Sequence, residues 1–180
     1  MCSGALGYTS TLPADDFDLD RVTPKDHWGG VAAQIMYMVS PELQDELGLR
    51  YERQWLQDFG LTYYGCCEPL HDRVHILRSI PNLRKISMSP WAHVDEMVQT
   101  VGRDLVLSYK PNPEILARDA WEPERARATI AACLDTARDC NVEVIMKDIS
   151  TVRYEPQRLW QWADVAMQEA HRVAETPPHH

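Results

Sequence analysis

The feature that most constrains this chain is an alternation that sets in at residue 61. Short β-prone runs at Leu61–Cys66, Leu83–Met88, Leu105–Tyr109 and Val142–Met146 are each followed by a segment with helical apolar spacing. Those segments carry Leu70, Val74 and Leu77; then Val94, Met97, Val98 and Val101; then Ala126, Ile130, Cys133, Leu134 and Ala137; then Leu159, Trp162, Val165, Ala166 and Ala170. Strand–helix repetition of this kind predicts parallel strands joined by right-handed crossovers, an α/β fold. The runs are β-branched or aromatic and alternate only weakly, as expected when both faces of a sheet are covered. A (β/α)8 barrel takes about 250 residues. The pattern reads as a (β/α) barrel, yet 180 residues with four strand–helix units fall short of that length.

Upstream of the alternation, Ser40-Pro41-Glu42 marks a helix start: a hydroxyl cap, proline in the first turn, and an acid beside the helix N-terminus. Leu43, Leu47, Tyr51, Trp55 and Phe59 place one apolar face on a helix running to about Asp58 and stopping at Gly60. Ala32 to Val39 is an apolar run that fits either a helix or a strand. Residues 1–30, with Asp15, Asp16, Asp18 and Asp20, read as an irregular acidic arm; 31–174 read as the barrel domain, and 175–180 as a frayed tail. Asn112-Pro113-Glu114 caps a short helix, while Pro123 and Pro156 open two longer ones.

Several functions are excluded at this level. A net charge of −9 with no basic stripe argues against a nucleic-acid partner. No apolar stretch approaches the roughly 18 residues of a membrane span, and the N-terminus lacks the pattern of a signal peptide, so a cytoplasmic location is expected. Five cysteines, an odd number without secretory context, do not suggest a disulfide framework. No GxGxxG and no Walker A loop follows any strand.

In a parallel α/β fold the site lies where the strands end. Those ends hold Cys66-Cys67-Glu68, Ser87-Met88-Ser89-Pro90-Trp91, Ser108-Tyr109-Lys110-Pro111-Asn112 and Lys147-Asp148-Ile149-Ser150. The opposite ends carry ordinary turn residues. Cys66, Cys67, Glu68 and Asp148 are the candidate catalytic residues. The same four are the candidate ligands of a soft metal ion such as zinc, by a thiol–carboxylate set. Ser87, Ser89, Trp91, Ser108, Lys110, Asn112 and Lys147 are the candidate substrate-binding residues, with the lysines holding an anionic group. Alternatives stay open. One thiol of the pair can pack inward while the other faces the cleft. Glu68 and Asp148 can act as acid and base, or pair with Lys110 and Lys147 as an ion network. Trp91 can stack on a flat ligand or pack in the core. His71, His75 and His93 read as surface positions, and Trp160 and Trp162 as packing residues.

The stretches Tyr63-Tyr64-Gly65-Cys66-Cys67-Glu68-Pro69-Leu70, Asn82-Leu83-Arg84-Lys85-Ile86-Ser87, Ser89-Pro90-Trp91, Lys110-Pro111-Asn112-Pro113 and Lys147-Asp148-Ile149-Ser150-Thr151 together resemble the uroporphyrinogen decarboxylase-like superfamily. The resemblance runs over residues 30–174 and is nearest to the branch beside the corrinoid-dependent methyltransferases. It implies the C-terminal half of a TIM barrel. It also implies descent from an enzyme that decarboxylates a tetrapyrrole, or from one that moves a methyl group from a corrinoid protein to a thiol on zinc. A homodimer, or a separately encoded N-terminal half-barrel, is the expected partner. The alternative is a non-catalytic half-barrel that binds a partner chain or ligand. Two positions depart from the methyltransferase pattern. Tyr64 or Gly65 stands where its zinc-binding histidine belongs, and Asp148 and Ser150 stand in the region of its last cysteine.

Overall fold

A computed structural model describes residues 18, 20–32 and 34–175. The acidic arm up to residue 17, Cys2 and the tail at 176–180 lie outside the described residues. The fold is α/β, and among the described residues the sheet has five parallel strands in the order β1-β2-β3-β4-β5. These are β1 (Trp28–Val31), β2 (Leu61–Tyr64), β3 (Leu83–Met88), β4 (Val106–Tyr109) and β5 (Asn141–Val144). Strands consecutive in sequence are neighbours in space, and every pairing is parallel. Helical segments lie between them: α1 (Pro41–Gln44) and α2 (Arg50–Leu56) before β2, α3 (Val74–Leu77) before β3, and α4 (Val94–Val101) before β4. Two more, α5 (Glu114–Ala117) and α6 (Pro123–Thr136), precede β5, and α7 (Gln157–Glu175) closes the described chain.

The sheet has five strands rather than four, because β1 lies inside the stretch read as irregular arm. Trp28-Gly29-Gly30-Val31 carries two glycines, which weaken any strand signal. Its pairing with β2 nevertheless aligns Val31 with Tyr64. Gly29 has a packing reason to be glycine: a Cβ there would stand 2.6 Å from the Phe59 ring.

Strand alternation separates two unlike faces. Tyr64, Ile86, Met88, Leu107 and Tyr109 join Leu56, Val74, Leu77, Met97 and Val101 in the main core, so the helices cover this face. The opposite face has only a small apolar group, Tyr63 and Ile145 against Trp28. Its remaining positions are largely polar. Among the described residues no helix covers this second face, against the expectation of two covered faces. Consecutive crossovers of one hand place their helices on one side only.

The stripe Leu43, Leu47, Tyr51 and Trp55 is also corrected: all four are exposed, while Gln44, Leu49 and Leu56 face the core. Positions four apart advance about 40° round a helix per step, so such a stripe precesses off one face. A π turn at Asp45–Leu49 shifts the phase again. The Ser40 cap is present, its hydroxyl accepting from the Leu43 N–H. Gln44 earns its buried place by hydrogen bonding, donating to the Tyr64 hydroxyl at 2.7 Å and accepting from Arg73 at 2.6 Å. Arg73 also donates to the Tyr37 and Val39 carbonyls, which fixes the chain entering α1. On α7, Trp162 packs inward as expected, whereas Trp160 is exposed.

Candidate functional site

The helix-free face concentrates the chain's rarest charged residue. Only four lysines occur, and three of them, Lys85, Lys110 and Lys147, are buried. Parallel register is what gathers these residues, since Ser87 aligns with Ser108 and Ser108 with Glu143. Lys85 pairs with Glu143 at 2.7 Å and lies over the Trp28 ring. Lys110 donates to the Ser87 hydroxyl at 2.6 Å and to the Cys66 carbonyl at 3.2 Å, with its ammonium over the Tyr63 ring. Lys147 donates to both oxygens of Asp148 at 2.8 Å. These residues set three ammonium groups against two carboxylates, a positive locality in a chain of net charge −9.

Buried polar atoms with unmet hydrogen bonding occur on the same face. The Tyr63 hydroxyl lies near the Ser87 and Ser108 hydroxyls without reaching full hydrogen-bond geometry, the Ser108 hydroxyl is likewise unsatisfied, and one Glu143 oxygen makes no hydrogen bond among the described residues. Such orphans are costly unless another molecule or water satisfies them. Burial raises the Tyr63 phenol to about 12, against the opposing influence of the Ser87 and Ser108 hydroxyls, so it stays neutral and able to donate at physiological pH.

Beyond the strand ends, a pocket of about 210 Å³ is lined by Cys67, Ser89, Trp91, Lys110, Asn112, Lys147 and Asp148, together with three prolines. Seven of the residues expected at the rim thus converge there. Ser87 and Ser108 lie buried on the sheet face rather than on the pocket wall. Trp91 is exposed and borders the pocket, so it does not pack in the core. Asn112 also accepts from the Glu114 N–H, which starts α5.

The vicinal cysteines divide. Cys66 is turned into the helix-side core, its sulfur accepting from the Glu68 N–H, and it meets the site only through its carbonyl. Cys67 faces the pocket. Its thiol donates to Asp148 Oδ2 at 3.3 Å, and Lys147 Nζ is 3.2 Å from the sulfur. Asp148 adopts a left-handed φ of 58°, a conformation Asp tolerates better than most residues. Burial works against its ionisation, but hydrogen bonds from Lys147 and Cys67 outweigh this and hold the carboxyl below its ordinary range. Glu68 is half-buried and does not line the pocket. Of the expected pairing of Glu68 and Asp148 with Lys110 and Lys147, the ion pair seen is Lys147 with Asp148, while Lys110 bonds Ser87 and the Cys66 carbonyl.

The four residues read as a zinc set do not present one. Cys66 Sγ points into the core, Glu68 lies off the pocket, and an ammonium sits against the remaining thiol and carboxylate. No chemistry through zinc is derived from them. Among the described residues, the metal-ligating side chains that do converge are His71, His93 and Glu96. No periodic or spacing signal marks that cluster, because its two imidazoles come from loops 22 residues apart. The chain matches no protein-family model, no curated protein and no solved structure.

Exposure ranks the thiols. Cys66 and Cys133 are buried, and burial pushes the Cys133 thiol up to about 12, while Cys67 opens to the pocket. Iodoacetamide is expected to label Cys67 well before Cys66 and Cys133, as read by peptide mapping over time. Equal or earlier labelling of Cys133 would contradict this arrangement.

Proposed function

We propose that this chain is part of a uroporphyrinogen decarboxylase-like barrel whose pocket binds a carboxylate-bearing ligand, with Lys110 and Lys147 holding the anion. One observation carries the proposal: two of the chain's four lysines, Lys110 and Lys147, are buried and both line this one pocket. A carboxylate facing the Lys110 and Lys147 ammonium groups is held by charge-assisted hydrogen bonds, the strong class of polar contact. The sequential, all-parallel strand order is that of a barrel segment and supports the same lineage. A pocket of about 210 Å³ takes one acetate or propionate arm. A macrocycle bearing that arm lies across the open face, against Trp91. Because the zinc set is not formed, the carboxylate-handling side of the lineage fits these residues better than corrinoid-linked methyl transfer.

The test is a titration of the full chain with coproporphyrin, followed by quenching of protein fluorescence, beside its tetramethyl ester. Saturable binding of the free acid and none of the ester is expected. Equal binding of the two, or no binding, would remove the carboxylate site.

A second reading, a half-barrel that pairs with another chain, is favoured by one further observation. Among the described residues, β1 and β5 are sheet edges with no strand beyond them. Open edges and an uncovered face are association surfaces. A homodimer or a separately encoded set of strands would cover them, and a corrinoid protein would be the partner in the methyl-transfer lineage. Light scattering reporting a monodisperse monomer would count against pairing with a second copy.

A further inference from the structure

We propose a transition-metal site at His71, His93 and Glu96, separate from the lysine pocket and suited to zinc or a similar divalent ion. His71 lies in the loop that follows β2, and His93 ends the loop that follows β3; Glu96 is in the first turn of α4. Each offers one ligand atom, and the three atoms lie within 4.8 Å of one another. Zinc holds nitrogen and oxygen ligands at about 2.0–2.2 Å, so binding draws these atoms closer together, a movement within reach of side-chain rotation at the surface.

The present contacts already assemble the set. The two imidazoles stack with centroids 4.1 Å apart and planes 15° apart. The His93 N–H donates to His71 Nδ1 at 3.4 Å, which ties one loop to the other. His93 Nδ1 lies 2.6 Å from Glu96 Oε1, a short contact at which a cation can replace the shared proton. Two imidazoles and one carboxylate select borderline ions such as zinc, nickel or copper over magnesium and calcium, which prefer all-oxygen sites.

His93 and Glu96 are exposed, and His71 is half-buried, so an ion reaches the cluster from solvent. Three protein ligands leave coordination positions for water or an added ligand. Both loops leave the carboxyl ends of their strands, the end that carries the lysine pocket, and the second of them contains Trp91. A bound ion therefore cross-links two loops at that end and fixes the segment bearing Trp91.

Zinc chloride alone, titrated calorimetrically into the full chain, tests this. Both the parent and an H179A/H180A chain, which removes the terminal histidine pair as a competing ligand, are expected to bind one zinc at this cluster. H71A, H93A and E96Q, made on the H179A/H180A background, should each weaken binding at least tenfold. H75A on that background should not. Thermal unfolding of the metal-free H93A and E96Q chains is expected to stay within a few degrees of the parent, because both side chains are exposed. In parallel NMR titrations the ring signals of His71 and His93 should shift, and that of His75 should not. Retention of zinc affinity in H71A and H93A, or loss of all binding in H179A/H180A, would overturn the proposal. The coproporphyrin titration shares no ligand residue with this experiment, so either reading can fail alone.

Discussion

Replacing Arg158 by Ala is expected to destabilise the fold by about 3–5 kcal/mol, the largest single-residue effect outside the apolar core. The Arg158 side chain is 1% exposed at the start of α7. Its guanidinium donates to the carbonyls of Leu116, Arg118 and Asp119, and it also holds Glu155 through two hydrogen bonds. Removing it orphans several carbonyls after α5 and detaches that turn from α7. Those carbonyls have no regular secondary-structure partner to fall back on. Domains of this size are stable by only about 5–15 kcal/mol, so the urea midpoint should fall steeply. R158K should recover little, since one ammonium cannot span acceptors arranged for a planar fork. A change below about 1 kcal/mol in R158A would refute the assignment.

The second large effect separates function from stability. Lys110→Met is expected to weaken binding of a carboxylate ligand by roughly 10–100-fold, the loss of one charge-assisted interaction. Its unfolding midpoint should be unchanged or raised, because methionine fills similar volume and carries no desolvation cost. Ser87 keeps its own bond to the Cys66 carbonyl at 2.6 Å, so that acceptor is not orphaned. A lysine with a purely structural role would give the opposite result, a lower midpoint with ligand affinity intact. Calorimetry of the ligand and urea unfolding on the same preparations decide between them.

The rim of the pocket was legible before the fold was known, for a geometric reason. Parallel strands all end on one edge, so Cys67, Ser89, Lys110 and Asp148 must approach one another once their strands are placed. Helix starts were legible because caps are local: Ser40, Asn112, Pro123 and Pro156 each mark an onset within a residue or two. β1 was not legible, since Trp28-Gly29-Gly30-Val31 has weak local preference and becomes a strand by pairing with Leu61–Tyr64. Nor was which of the two vicinal thiols packs inward. Neighbouring residues at a strand end point to opposite sides, and which side is core depends on where the helices pack.

The sequence by itself therefore determined the element types, the parallel order of the last four strands, and the set of polar groups at their carboxyl ends. Those properties follow from local spacing and from the chirality of crossovers. Tertiary structure alone decided which sheet face stays free of helices, and hence that Lys85, Lys110 and Lys147 share it with the hydroxyls of Tyr63 and Ser108. It also decided that Cys66 is core while Cys67 faces the pocket, and that His71 meets His93. Each of these depends on contacts between segments distant in the chain, to which local preference carries no information.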